Sequence, residues 1–255
     1  MIEVNNVSKY FGEKQVLFGI DTQFEEGKVN LIIGRSGSGK TVLMKCLVGL
    51  HTPEEGNVLY SGREFHNLPE KDKLLLRKEM GMVFQGSALF DSMTIEENVT
   101  FPLDMFTDQS ESEKLDRANF CLECVDLENV NKLYPAELSG GMKKRAAIAR
   151  ALACNPKYLF FDEPNSGLDP KTSLVIDDLL HSITQEYQTT TIINTHDMNS
   201  VMGIGENIIY IHEGEAAWTG NKDQILTSSN KKLNDFIFAS DLFKKVRDEE
   251  IHHLK

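Results

Sequence analysis

Apolar and polar positions alternate weakly over residues 2–7 and again over 16–24, with Phe11-Gly12-Glu13-Lys14 between them. This pattern predicts a β-hairpin. A turn, Glu25-Glu26-Gly27-Lys28, then feeds the run Val29-Asn30-Leu31-Ile32-Ile33. Runs of the same kind recur at Gly81-Met82-Val83-Phe84 and at Tyr158-Leu159-Phe160-Phe161, and residues 189–194 read as a further strand. Continuous apolar runs suit the strands of a parallel sheet covered on both faces. Residues 57–60, 206–212 and 215–218 read as shorter strands. Helical spacing marks residues 42–48, 74–78, 93–99 and 170–187, and also 113–125, where Leu115, Ala118, Cys121, Leu122 and Val125 share a face. Thr94 and Glu97 form a capping box, and Pro135 breaks the chain before a helix that starts near Ser139. Residues 86–153 show no strand pattern and read as a helical subdomain inserted into an α/β core. The tail from Asn221 reads as polar and helical, with Phe236, Ile237, Phe238 and Leu242 as its apolar anchors.

At 255 residues, the chain is one large domain or one domain with a substantial insertion. Its 40% apolar and 26% charged content is ordinary for a globular protein. The formal net charge of -12 argues against nucleic acid as a partner, which usually needs a basic face. Lys143-Lys144-Arg145 is a local basic run, readable as the solvated face of a helix. Of the four cysteines, Cys121 and Cys124 form a lone C-x-x-C inside a helical pattern, which points to neither zinc nor redox chemistry. The thiols read as reduced and cytosolic. The sequence shows no signal peptide and no apolar run long enough to span a bilayer, so service to a membrane is expected through a partner.

The chemistry centres on Gly34-Arg35-Ser36-Gly37-Ser38-Gly39-Lys40-Thr41, set between an apolar strand and a helix. Glycines there let the backbone turn tightly and aim N–H groups at an anion, and the helix adds the positive end of its dipole. Lys40 can reach terminal phosphates and the Thr41 hydroxyl can ligate Mg²⁺. Asp162 and Glu163 follow an apolar run that forces them to the carboxyl edge of a sheet. There Asp162 can hold the metal and its waters, and Glu163 can serve as general base toward an attacking water. Gln85 and His196 also sit at strand ends, where a ligand role and a structural role both fit. Phe11, at the hairpin turn, either packs beneath it or stacks on a base. Ser139-Gly140-Gly141 at a helix start forms a second anion-binding end. Two such ends, far apart in one chain, suggest service to different copies of a nucleotide, hence a dimer.

Taken together, these residues resemble the ABC ATPase family over residues 2–225. The resemblance implies a phosphate-loop NTPase fold of α/β class: a RecA-like parallel-sheet core, an N-terminal antiparallel β subdomain and an inserted α-helical subdomain. It implies one cassette over residues 1–228, with the helical subdomain at about 86–153 and a C-terminal helical extension at 229–255. Gly34, Arg35, Ser36, Gly37, Ser38, Gly39, Lys40, Thr41 and Val42 would cradle ATP as Walker A, with Phe11 stacking on adenine. Gln85 would be the Q-loop residue at the metal, Asp162 the Walker B carboxylate, Glu163 the catalytic base and His196 the switch histidine. Ser139, Gly140 and Gly141 would be the signature motif and Asp169 the end of the D-loop, both meeting nucleotide in a head-to-tail homodimer with Mg²⁺ as cofactor. The expected site is the cytoplasmic face of the inner membrane, peripheral, beside a permease.

Gln85-Gly86-Ser87-Ala88-Leu89-Phe90-Asp91, then Asn98-Val99 and Phe101-Pro102-Leu103, look like the ATPase of MCE-type phospholipid transporters. So does Glu137-Leu138-Ser139-Gly140-Gly141-Met142 with its three basic residues. That resemblance implies a lipid-binding MCE-domain partner. The alternatives are the ATPase of a small-solute importer, such as one for an amino acid, and a soluble ABC protein acting on ribosomes or DNA. Val42 stands where a threonine is frequent, and Asn165 where a small or hydroxyl residue is usual.

Overall fold

The computed structural model describes residues 1–238; Leu242 and the rest of the expected extension lie outside the described residues. The chain opens with β1 (Ile2–Phe11) and β2 (Lys14–Phe24), a hairpin whose last pair is Phe11 with Lys14. The strands outrun the alternation seen in the sequence because bulges interrupt their register. There follow β3 (Val29–Ile33), α1 (Lys40–Leu47), β4 (Glu55–Tyr60), β5 (Arg63–Glu64), α2 (Glu70–Lys78) and β6 (Met80–Val83). Next come α3 (Ile95–Phe106), α4 (Glu111–Glu123), α5 (Gly140–Leu152), β7 (Tyr158–Asp162), α6 (Pro170–Tyr187) and β8 (Thr190–Thr195). The last elements are α7 (Met198–Ile204), β9 (Asn207–His212), β10 (Glu215–Gly220), α8 (Lys222–Ile225) and α9 (Lys231–Ile237).

Two sheets result. One is four-stranded and antiparallel, in the order β2-β1-β4-β5, and the other six-stranded, in the order β10-β9-β3-β8-β7-β6, parallel except at β10. Residues 86–153 contain α3, α4 and α5 and no strand. Alternate residues of the parallel strands face opposite ways. Leu31, Ile33, Phe161 and Ile193 pack into one apolar cluster with α3, α5 and α6. Ile32, Phe160, Ile192 and Ile209 pack into another, with α1 and the antiparallel sheet. Each fully buried side chain of this size contributes about 1.5–3 kcal/mol. That total far exceeds what any polar strand-end residue could gain by burial, so the polar residues are left at the edge.

Register then aligns those edges. Ile33 pairs with Thr195, Asp162 with Asn194, and Val83 with Phe161. Gly34, Gln85, Glu163 and His196 therefore emerge on one side of the sheet. Three local expectations change. The helix expected at 113–125 begins at Glu111, because Ser110 caps it in a box with Glu113. The helix expected at 74–78 starts at Glu70, behind Pro69, through a polar first turn that carries no apolar periodicity. The short α7, capped by Asp197, was not legible as a helix. The tail is anchored rather than loose as far as α9: Leu233 and Ile237 are buried and the Phe236 ring stacks on Tyr210 at 5.2 Å.

Candidate functional site

The loop between β3 and α1 is built by backbone geometry. Gly34 has φ +151°, and a Cβ there would lie 2.3 Å from the Ile211 carbonyl oxygen, so no side chain fits. Gly39 has φ +110° and caps α1 without a side-chain hydrogen bond, leaving the first N–H groups of the helix free for an anion. Lys40 folds back, donating to the Gly34 carbonyl at 2.8 Å and the Arg35 carbonyl at 3.1 Å. Burial lowers its pKa, and the Glu163 and Asp162 carboxylates oppose that shift. The Ser38 hydroxyl is buried with no partner, an orphan that a phosphate oxygen would satisfy. Ser36, Gly37, Lys40, Thr41 and Val42 line a cavity with Gln85 and Glu163. Val16 of β2 lines it too, a residue the sequence reading did not select.

Asp162 accepts from Thr41 Oγ1 at 3.4 Å and from Asn194 Nδ2 at 2.9 Å. Thr41, Asp162 and Gln85 offer a hydroxyl, a carboxylate and an amide, hard oxygen donors of the kind Mg²⁺ takes. Glu163 has φ +50°, uncommon for a residue with a Cβ, and its N–H donates to the Asn194 carbonyl at 3.0 Å. That backbone turns its carboxylate toward two partners. His196 Nδ1 lies 3.0 Å from Oε1, and Gln85 Nε2 donates to Oε2 at 3.3 Å and to Ser166 Oγ at 3.2 Å. Residues 85, 163 and 196 thus converge on one carboxylate.

Phe11 does not pack under the hairpin. It is 45% exposed, with the His51 ring edge-on at 5.3 Å and Lys9 Nζ 5.4 Å from the ring centre.

Ser139, Gly140 and Gly141 line a different concavity, with Gly167, Leu168 and Asp169, that shares no lining residue with the phosphate loop. Ser139 caps α5 by accepting from Met142 N at 3.3 Å. Asp169 caps α6, accepting from Thr172 Oγ1 at 2.6 Å and from the N–H groups of Lys171 and Thr172. Those bonds, the Thr172 hydroxyl first, hold its pKa low.

The basic run is not a solvated face. Lys144 is buried and donates to the Gln85 carbonyl, and Arg145 donates to the Val125 and Asp126 carbonyls. The position 144 side chain turns inward because α5 packs that face against the β6 edge, which a run of three cations conceals. Cys121 is buried and its thiol is pushed up to about 12 by desolvation, a protonated and inert state.

The "ABC transporter" family pattern matches residues 17–166. The chain is 36% identical over 257 residues to the methionine import ATP-binding protein MetN of Campylobacter jejuni, covering 94% of this chain and 76% of that one. It is 34% identical over 236 residues to the "Probable ribonucleotide transport ATP-binding protein mkl" of Mycobacterium leprae, covering 92% of this chain and 68% of the other. Among solved structures, it superposes with a TM-score of 0.79 and 34% identity on the dimeric, post-hydrolysis ATP-binding cassette MJ0796 bound to ADP and phosphate, covering 87% of this chain and 99% of that one.

Proposed function

The chain belongs to the ABC transporter family, and from that premise we propose that it is the ATPase subunit of a small-solute importer of the amino-acid class. It hydrolyses ATP with Mg²⁺, and it would work through a membrane permease at the cytoplasmic face. No helix among the described residues is long and apolar enough to cross a membrane, so the transport path itself would belong to the partner. Similarity to methionine-import ATPases over more than nine-tenths of the chain is the observation that carries the cargo class.

The residues divide the chemistry. The loop N–H groups, Ser38 and Lys40 would hold the phosphates, and Thr41, Asp162 and Gln85 the metal. Bound Mg²⁺·ATP supplies the phosphoryl group, with a divalent charge that offsets what develops on it. Glu163 would take the proton of the attacking water at its carboxylate, with His196 and Gln85 fixing the two oxygens in place. Asn194 orients Asp162. Phe11 would stack on the base. Because Ser139, Gly140 and Gly141 lie away from the phosphate loop, each nucleotide site would be completed by a second copy, head to tail.

A second reading, phospholipid transport with an MCE-domain partner, rests on the resemblance of two stretches of sequence. The two stretches that resemble MCE-type ATPases touch: Lys144 donates to the Gln85 carbonyl, and Arg150, further along the same helix, to those of Ser87 and Ala88. Affinity purification from gently solubilised membranes, with uptake of labelled solute in cells lacking the protein, tests the choice. A permease with a solute-binding protein, and lost uptake of an amino acid, is the expected result. A permease with an MCE-domain protein would replace the cargo with lipid. Ribosomal or DNA-bound partners alone would overturn the transport reading.

A further inference from the structure

We propose that Lys144 is a positioning residue for hydrolysis: from α5 it holds the backbone of Gln85 and so sets where the Gln85 amide meets Glu163. The inference rests on the roles proposed above for Gln85 and Glu163.

A lysine that is 5% exposed is rare, because stripping an ammonium of water is costly unless it is paired. Lys144 spends its charge on a backbone carbonyl, that of Gln85, rather than on a surface carboxylate.

The segment it grips needs holding. β6 ends at Val83, so Gln85 has no strand pairing. Beyond it, Ser87 and Ala88 have φ of +64° and +49°, a strained pair for side chains with a Cβ. The carbonyls of Gln85, Ser87, Ala88 and Phe90 are each met by a side chain from a neighbouring helix. Arg150 donates to Ser87 O at 2.9 Å and to Ala88 O at 2.7 Å, and Asn98 of α3 bonds both the N–H and the carbonyl of Phe90. Lys144 is the first of these clamps and the one nearest the chemistry. Without it, the Gln85 amide would lose the backbone placement behind its 3.3 Å contact with Glu163 Oε2. Small misplacements of this kind are costly in catalysis. Lys144 also lies one helical turn from Gly140, so it ties the Ser139 end of α5 to the metal-side loop.

The test is a mutant cycle on the full chain, reading kcat, KM for ATP, Mg²⁺ half-activation and Tm. Lys144→Met should lower kcat and raise the Mg²⁺ requirement by about tenfold, the range seen when a group supporting a metal ligand is lost. KM for ATP should stay within about twofold, since the phosphate loop is untouched. Lys144→Arg should recover most of kcat. In a Gln85→Ala background, Lys144→Met should cost no further kcat, because the two act as one unit. Wild-type kcat and Mg²⁺ response in Lys144→Met, or losses that multiply in the double variant, would overturn the assignment, as would a Tm loss with kcat unchanged. Lys144→Leu carries the same cycle if the methionine variant does not fold. A wild-type protein without ATPase activity would instead sink the underlying site reading, so the two failures are distinct.

Discussion

Glu163 stands in a left-handed backbone conformation that costs on the order of 1 kcal/mol, held by the Asn194 carbonyl on its N–H. Strain at this residue aims the carboxylate away from the strand axis, toward His196 and Gln85. Asn165, a departure from the family's usual residue, has a structural use: its amide donates to Asp177 at 2.8 Å and to Ser200 at 3.1 Å, joining α6 to α7. Asp177 is 4% exposed. Burial raises its pKa and the Asp197 and Asp178 charges add to the rise, against hydrogen bonds from Ser200 and Asn165. The folded protein therefore keeps this proton to higher pH than the unfolded chain. The corresponding stability is fully present below the unfolded carboxylate value and is lost as pH rises through the folded one. Asp177→Asn should raise Tm at neutral pH, and the gain should shrink to nothing near pH 4, the ordinary aspartate range. Thermal melts across that range check it, and a gain independent of pH would contradict it.

At the scale of elements, the start of α3 was legible because a cap is a local contract between a side chain and nearby N–H groups. Thr94 and Glu97 close the expected box: Thr94 Oγ1 accepts from Glu97 N, and Glu97 returns to Thr94 N at 2.7 Å. Ser110 and Glu113 close a second, which shifts the start of α4 two residues earlier than helical spacing suggested. Thr94→Ala should lower the free energy of unfolding by about 1 kcal/mol. Denaturant melts should show a lower midpoint at unchanged slope, with ATP turnover per folded molecule unaltered; a loss of turnover instead would tie α3 to the chemistry. Loops and short helices were less legible. α7 has only seven residues, and its cap, Asp197, follows directly on the His196 strand end.

At the scale of the whole molecule, the phosphate-loop cavity and the Ser139–Asp169 concavity share no lining residue, and on the proposed function each is one half of a nucleotide site. A half-site that binds ATP but cannot hydrolyse it should hold a second copy in place. Glu163→Gln should therefore bind ATP, lose nearly all turnover and shift from monomer to dimer on light scattering when ATP and Mg²⁺ are added. A variant that stays monomeric at saturating ATP would argue against head-to-tail completion of the site. The same scale explains why the basic run misled as a solvated face. Net charge sums over the surface, whereas Lys144 left that surface by packing.

The sequence by itself determined the phosphate loop, the buried strands and the caps, because each depends on neighbours along the chain: a glycine's φ, an apolar run, a hydroxyl three residues before an N–H. Tertiary structure alone decided the rest. Parallel register brought residues 85, 163 and 196 onto one carboxylate, since β6, β7 and β8 end together. Helix packing chose which carbonyl Lys144 takes, and the choice is long-range because an ammonium out of water binds whichever acceptor the fold delivers to it.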